Sequence, residues 1–241
     1  MVMTEEEKRL TAYHEAGHAL LAHYMPSSDP IHKATIIPRG RALGLVQQLP
    51  ERDQHSHTRE WLTSRIAVAM AGRVAEQLVF GMEKVTNGAA SDIQQATRIA
   101  RFMVTQWGMS DRLGPVGYDE NQQEVFLGHS ITQTKNVSEA TAQMIDGEIR
   151  LIIEEGHGKA RALLIDHREH LDVVAHALLE RETLTGEEIG KLLRGETLPP
   201  LRSGDDGSAP APASGKRGSV PTTSRPADPG PGIEPSPQPG A

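Results

Sequence analysis

The chain has 241 residues, of which 37% are hydrophobic, 24% charged and only 3% aromatic, with a formal net charge of −7 and no cysteine. That length suits one or two domains. The acidic balance argues against a nucleic-acid partner, which needs a basic face, and the lack of cysteine excludes disulfides, zinc–thiolate sites and thiol catalysis. From residue 199 to 241 lie 11 of the 16 prolines, no aromatic residue, and four positive against four negative charges. Such a stretch buries too little apolar surface to offset its ordering entropy. Residues 199–241 are therefore expected to be a disordered tail behind a folded domain at 1–198. No apolar run approaches the roughly 18 residues of a spanning helix, and the acidic start (Glu5, Glu6, Glu7) lacks the features of a signal peptide. The chain as written is expected to be soluble and cytoplasmic. It contains no G-x-x-x-x-G-K-[ST] motif, so no ATP site is expected in it.

Residues 4–25 read as a helix. Thr4 and Glu7 form a capping-box pattern, Leu10, Tyr13, Gly17, Leu20, Leu21 and Tyr24 recur at helical spacing, and Pro26 ends it. Residues 33–49 predict a hairpin turning at Pro38-Arg39-Gly40, its second segment glycine-bearing and half apolar like an edge strand. A second helix is expected over 58–80, with small residues (Ala67, Ala71, Gly72, Ala75) that allow close helix contacts. A third is expected from Ser91, with Gln94 completing a capping box, to Trp107. Loop with short extended pieces such as 124–127 follows to 136. Helices are then expected over 138–166, 167–181 and 186–194, although Gly156-His157-Gly158 interrupts the first, two mid-helix glycines costing about 2 kcal/mol together. Residues 127–198 hold no Phe, Tyr or Trp and must pack through Leu, Ile, Val and Ala. Trp61 and Trp107 are expected in the core. The fold class is mainly α with a small β-sheet or hairpin.

His14-Glu15-Ala16-Gly17-His18 fits H-E-x-x-H. Residues four apart share a helix face, so His14 and His18 can offer two imidazole nitrogens to one Zn²⁺, and Glu15 beside them can serve as general base. Gly17 removes a side chain and lets another backbone approach. The bland alternative is an amphipathic helix whose histidines merely pack. A catalytic zinc wants a third protein ligand and one open position, and no third histidine follows His18 at the spacing of an extended motif. Glu76 and Asp92 are the candidates. For Asp92 the alternative is a favourable acid in a first helical turn; for Glu76 it is an ion pair with Arg73 or solvent exposure. Spacing leaves the two open. His55 and His57 form a His-x-His without a fixed partner, His167, His170 and His176 read as a solvated face, and His23 and His32 carry no pattern.

Thr11-Ala12-Tyr13-His14-Glu15-Ala16-Gly17-His18-Ala19-Leu20 resembles the peptidase domain of the FtsH family, membrane-anchored AAA proteases that use ATP and zinc. Further matches follow in family order: Gly44, residues 72–76, 86–93, 103–110 and 124–128, so the resemblance covers roughly 4–195. It implies a mainly helical fold with a small sheet and Asp92 as third zinc ligand, with Glu76 at most behind the ligands. It also implies one Zn²⁺ per chain, a hexameric ring, and substrate added as a strand along Gly44-Leu45-Val46. The function implied is zinc metalloendopeptidase action on unfolded or loosely folded polypeptides, the proteolytic part of an ATP-dependent protease in protein quality control. The ATPase module and membrane anchor of the family are absent from these 241 residues. A truncated member, or work with a separate AAA ATPase or a membrane-anchored relative, is therefore expected, with this domain on the cytoplasmic side. Ligation needs neutral histidines, so activity is expected to fall under mild acid. The rival reading is a catalytically silent assembly module that associates with full-length FtsH-type subunits.

Overall fold

The computed structural model describes residues 3–38, 40, 43–50, 56–118 and 137–200. They belong to one unit, Met1–Leu201. The extended piece expected at 124–127 and nearly all of the expected tail lie outside the described residues.

Helix α1 (Glu5–Tyr24) starts where its cap dictates: the Thr4 side chain accepts from the Glu7 amide, and Glu7 reaches back to the Thr4 amide. Three acidic residues in its first turn complement the helix dipole. Met25, whose φ/ψ of −76°/128° is the extended backbone that a following proline favours, closes it. α2 (Arg59–Phe80) is capped by Thr58 and stops at Gly81. Its small face, Ala67, Ala71 and Ala75, is fully buried, and α1 packs along it. A Cβ at Gly17 would lie 2.7 Å from the Ala71 carbonyl oxygen, so glycine is what allows the two backbones this approach.

α3 (Ala90–Thr105), α4 (Glu139–Asp166), α5 (Arg168–Arg181) and α6 (Gly186–Leu193) are the other α-helices among the described residues. α4 lies against α2 and α3, α5 against α1, and α6 against α5. The aromatic-poor stretch packs as its composition requires, through Ile145, Ile149, Ile152, Leu164, Leu171, Val174, Leu178 and Ile189, all buried. The expected hairpin is β1 (Ile31–Thr35) and β2 (Leu45–Gln48), antiparallel, with Thr35 opposite Leu45. The sheet has a third strand that the sequence reading lacks, β3 (Thr183–Thr185), pairing on the other side of β1 to give the order β2-β1-β3. β2 is therefore an edge.

Three local expectations change. Ser91 caps nothing: a 3-10 turn (Asn87–Ala89) runs straight into α3, so Ser91 is already inside the helix and its cap position is Ala89. Trp107 is 45% exposed rather than core, because α3 ends at Thr105 and releases the chain. Gly156-His157-Gly158 does not interrupt α4, which is continuous from Glu139 to Asp166. Gly156 is buried against α2, where a Cβ would meet Ile66 Cγ2 at 2.6 Å, whereas a Cβ at Gly158 meets nothing within 4 Å. The two glycines therefore respond oppositely to alanine. Gly158→Ala is expected to stabilise by about 0.5–1 kcal/mol through helix propensity. Gly156→Ala is expected to cost about 1–3 kcal/mol by overpacking. Thermal unfolding of the pair reads the sign directly, at about 2–4 °C per kcal/mol for this size.

Candidate metal centre

The helical spacing of α1 sets His14 and His18 one turn apart with their Nε2 atoms 3.0 Å from each other. What fixes those atoms comes from α2. The Nδ1–H of His18 donates to the Val68 carbonyl oxygen at 2.7 Å, a partner that can only accept. His14 Nδ1 lies 2.7 Å from Glu76 Oε1. Glu76, only 2% exposed, is held below the usual carboxylate range. Burial opposes its charge, and the hydrogen bonds it accepts from His14 and the Thr86 amide outweigh burial. An ionised Glu76 accepts, so His14 donates to it through Nδ1–H. Once His14 has given up its extra proton, as metal ligation needs, the Nε2 lone pairs of the two imidazoles face each other.

Asp92 arrives from the first turn of α3, its Oδ2 3.4 Å from His14 Nε2 and 3.5 Å from His18 Nε2. Its delivery is tied to the same carboxylate: the Thr86 amide donates to Glu76 Oε2 at 2.7 Å and the Thr86 hydroxyl at 3.1 Å. The 3-10 turn starts at the next residue. Glu76 therefore anchors both His14 and the turn leading to Asp92. Asp92 thus lies on the Nε2 side of His14 and Glu76 on its Nδ1 side. Neither the ion pair with Arg73 nor exposure describes Glu76.

Two imidazole nitrogens and a carboxylate oxygen, all within 4.8 Å of one another, form a cluster that could hold a metal ion, and with both imidazoles neutral it offers only acceptors to a cation. The proton affinity of the site says the same. Burial opposes charge on His14, but hydrogen bonds to Asp92 and Glu76 push it up to about 10. Asp92 is held well below the carboxylate range, burial being outweighed by His14 and His18. A zinc ion fits this donor set: two imidazoles and one carboxylate as ligands, each Nδ1–H fixed by a second partner. Space for it depends on Gly72 of α2. A Cβ there would lie 2.5 Å from His14 Nε2 and 2.6 Å from His18 Nε2, against the donor atoms themselves. Glu15 is 6% exposed and lies outside the ligand cluster.

Among the described residues the other histidines stay apart from this cluster. His57 stacks on Trp61 with centroids 3.8 Å apart, and His55 lies outside the described residues. His167 and His170 are not on a solvated face, since His167 stacks on Tyr24 at 4.0 Å and His170 Nδ1 lies 2.6 Å from the Tyr24 hydroxyl. The sequence reading lacked two supports of the site. The Val68 carbonyl leaves no residue-type signal, and Thr86 was visible only as the first residue of the family-matched segment 86–93.

Residues 1–192 match the model of peptidase family M41. The chain is 55% identical over 206 residues to the ATP-dependent zinc metalloprotease FtsH of Caulobacter vibrioides, covering 86% of this chain and 33% of that protein. It is 52% identical over 198 residues to the protein of the same name from Rickettsia prowazekii, covering 82% and 31%. It is also 52% identical over 201 residues to ATP-dependent zinc metalloprotease FtsH 4 of Sorangium cellulosum, covering 83% and 31%. The chain thus spans about a third of the length of these curated relatives. No helix among the described residues is long and apolar enough to cross a membrane. The His14–His18–Asp92 cluster and Glu15 all fall inside the family match, and the chain belongs to peptidase family M41.

Proposed function

We propose that the chain is a zinc metalloendopeptidase in which His14, His18 and Asp92 hold one Zn²⁺ and Glu15 is the general base. The observation that carries this reading is the acceptor-only convergence of two tautomer-locked imidazoles and a carboxylate beside a buried glutamate. When bound, the ion supplies Lewis acidity toward the scissile carbonyl and lowers the pKa of a water. Glu15 takes the proton of the attacking water as its oxygen joins the carbonyl carbon. It then passes that proton to the amine released as the C–N bond breaks. Burial pushes the Glu15 carboxyl up against the pull of His18 and His14, which makes it a stronger base than an exposed carboxylate. Glu76 keeps His14 in the tautomer that offers Nε2.

The substrate is an unfolded or loosely folded polypeptide that pairs with the free edge of β2. Subunits assemble as a hexameric ring. We assign the ATP dependence named for the relatives to an AAA module in the part of those proteins that this match does not cover, on the cytoplasmic side of a membrane.

Removal of metal by a chelator is expected to abolish hydrolysis of an unstructured fluorogenic peptide, and one equivalent of Zn²⁺ per chain to restore it. Glu76→Ala is expected to weaken zinc binding about 10–100-fold by freeing His14, without eliminating it. Hydrolysis that persists undiminished in the stripped chain overturns the reading. Because His14 holds a proton up to about 10, loading also requires proton displacement at neutral pH and weakens as the medium is acidified.

A further inference from the structure

Gly44 directly precedes edge strand β2, and its role in the sheet does not explain why it is glycine. Its φ lies outside the left-handed region, so its backbone is one that other residues adopt. What position 44 lacks is room. A Cβ built there would lie 2.5 Å from Glu15 Oε1, 2.7 Å from Glu15 Cγ and 2.8 Å from Glu15 Cδ. All three nearest atoms belong to one side chain, and that side chain is the buried carboxylate beside the metal ligands.

We propose that Gly44 is a positioning residue for Glu15: its missing side chain leaves the space in which the general-base carboxylate lies against the backbone entering the edge strand. This rests on the assignment of Glu15 as base given above. The contact joins two things that the reaction needs in register. Among the described residues no strand pairs with the outer edge of β2, and the residue before it touches the group that must reach a proton at the scissile bond. A side chain at 44 separates them. The three nearest atoms all belong to the Glu15 side chain from Cγ outward and none is backbone, so that side chain is what yields. The fold therefore tolerates alanine while the carboxylate moves, and the chemistry does not: displacing a reacting group by roughly 1 Å costs on the order of 100-fold in rate.

The test is a double-mutant cycle on the full chain with an unstructured fluorogenic peptide. It compares wild type, Gly44→Ala, Glu15→Asp and the double variant, with zinc content and thermal unfolding recorded for each. Gly44→Ala is expected to keep about one zinc per chain, a Tm within a few degrees of wild type and a KM within about twofold, and to lose about 10–100-fold in kcat. Glu15→Asp withdraws the carboxylate by one methylene. In that background Gly44→Ala is expected to cost less than about threefold, the non-additivity of two groups in contact. A Gly44→Ala enzyme with wild-type kcat overturns the inference. So does an equal loss in both backgrounds, a loss confined to KM, or a loss that follows zinc content. If wild type shows no zinc-dependent hydrolysis, the catalytic reading itself fails and this inference with it. If wild type is active and Glu15→Asp impaired, only the Gly44 assignment is at stake.

Discussion

Glu15→Gln is expected to abolish peptide hydrolysis while leaving metal and fold in place. The substitution keeps the shape of the side chain and removes its ability to take a proton, and loss of a general base costs about 100- to 10,000-fold. Glu15 lies outside the ligand cluster, so zinc content is expected to stay at wild type. Stability follows from the direction of its titration. Burial raises the Glu15 carboxyl above its ordinary value, so its ionisation is less favourable in the fold than in the unfolded chain, and the charged form opposes folding at neutral pH. A neutral amide removes that cost, and the Tm at neutral pH is expected to be no lower than wild type. Peptide turnover and calorimetry on the same samples check both halves. A silent assembly module would show no turnover in the wild type either, with every other property shared between the two proteins.

Gly72→Ala is expected to eliminate metal binding without unfolding the domain. The added methyl would lie 2.5 Å and 2.6 Å from the two Nε2 atoms. His18 is held from behind by the Val68 carbonyl and His14 by the buried Glu76, so retreat of the rings breaks the bonds that fix their tautomers. The loss in zinc affinity is expected to exceed the roughly 10–100-fold typical of altered outer partners. Overpacking against the two rings costs about 1–3 kcal/mol and helix propensity returns about 0.5–1 kcal/mol, a net loss within the stability of an ordinary domain, so the metal-free domain is expected to stay folded. What disappears is the additional stability that zinc confers on wild type by mass action. Thermal unfolding with and without Zn²⁺ measures this: a clear upward shift for wild type and none for Gly72→Ala. A full zinc-induced shift in the variant would show that the donor atoms do not meet where Gly72 leaves space.

The elements that sequence alone made visible are those with local causes. Thr4 with Glu7, Thr58 and Thr185 each cap the helix they precede, so helix starts were legible to within a residue or two. Ser91 misled because its cap pattern is real but sits after a 3-10 turn that had already begun the helix. β3 is three residues long, too short for an alternating pattern, and exists only because β1 offers it a partner. The Gly156–Gly158 pair looked like a break because propensity counts both glycines as losses. In the fold one of them makes room for Ile66, and α4 continues through both.

The site divides the same way. His14, Glu15 and His18 follow from spacing on one helix, and family resemblance singled out Asp92. Spacing could not choose between Glu76 and Asp92, because the choice depends on which face of His14 each one meets in the fold, and Glu76 alone is 62 positions along the chain from His14. The Val68 carbonyl that orients His18 is a backbone group and has no residue identity to read. Gly44 and Gly72 were visible as glycines, and only their distances to Glu15 and to the imidazole nitrogens say what they are for.

The most direct measurement is zinc per chain by elemental analysis, with binding titrations, on wild type, Asp92→Ala and Glu76→Ala purified without added metal. The account predicts about one zinc in wild type, its loss in Asp92→Ala, and weakened but complete loading of Glu76→Ala at saturating Zn²⁺. A wild type that holds no zinc and takes up none when it is supplied would contradict the metal centre. Wild-type affinity in Asp92→Ala would contradict its ligand set.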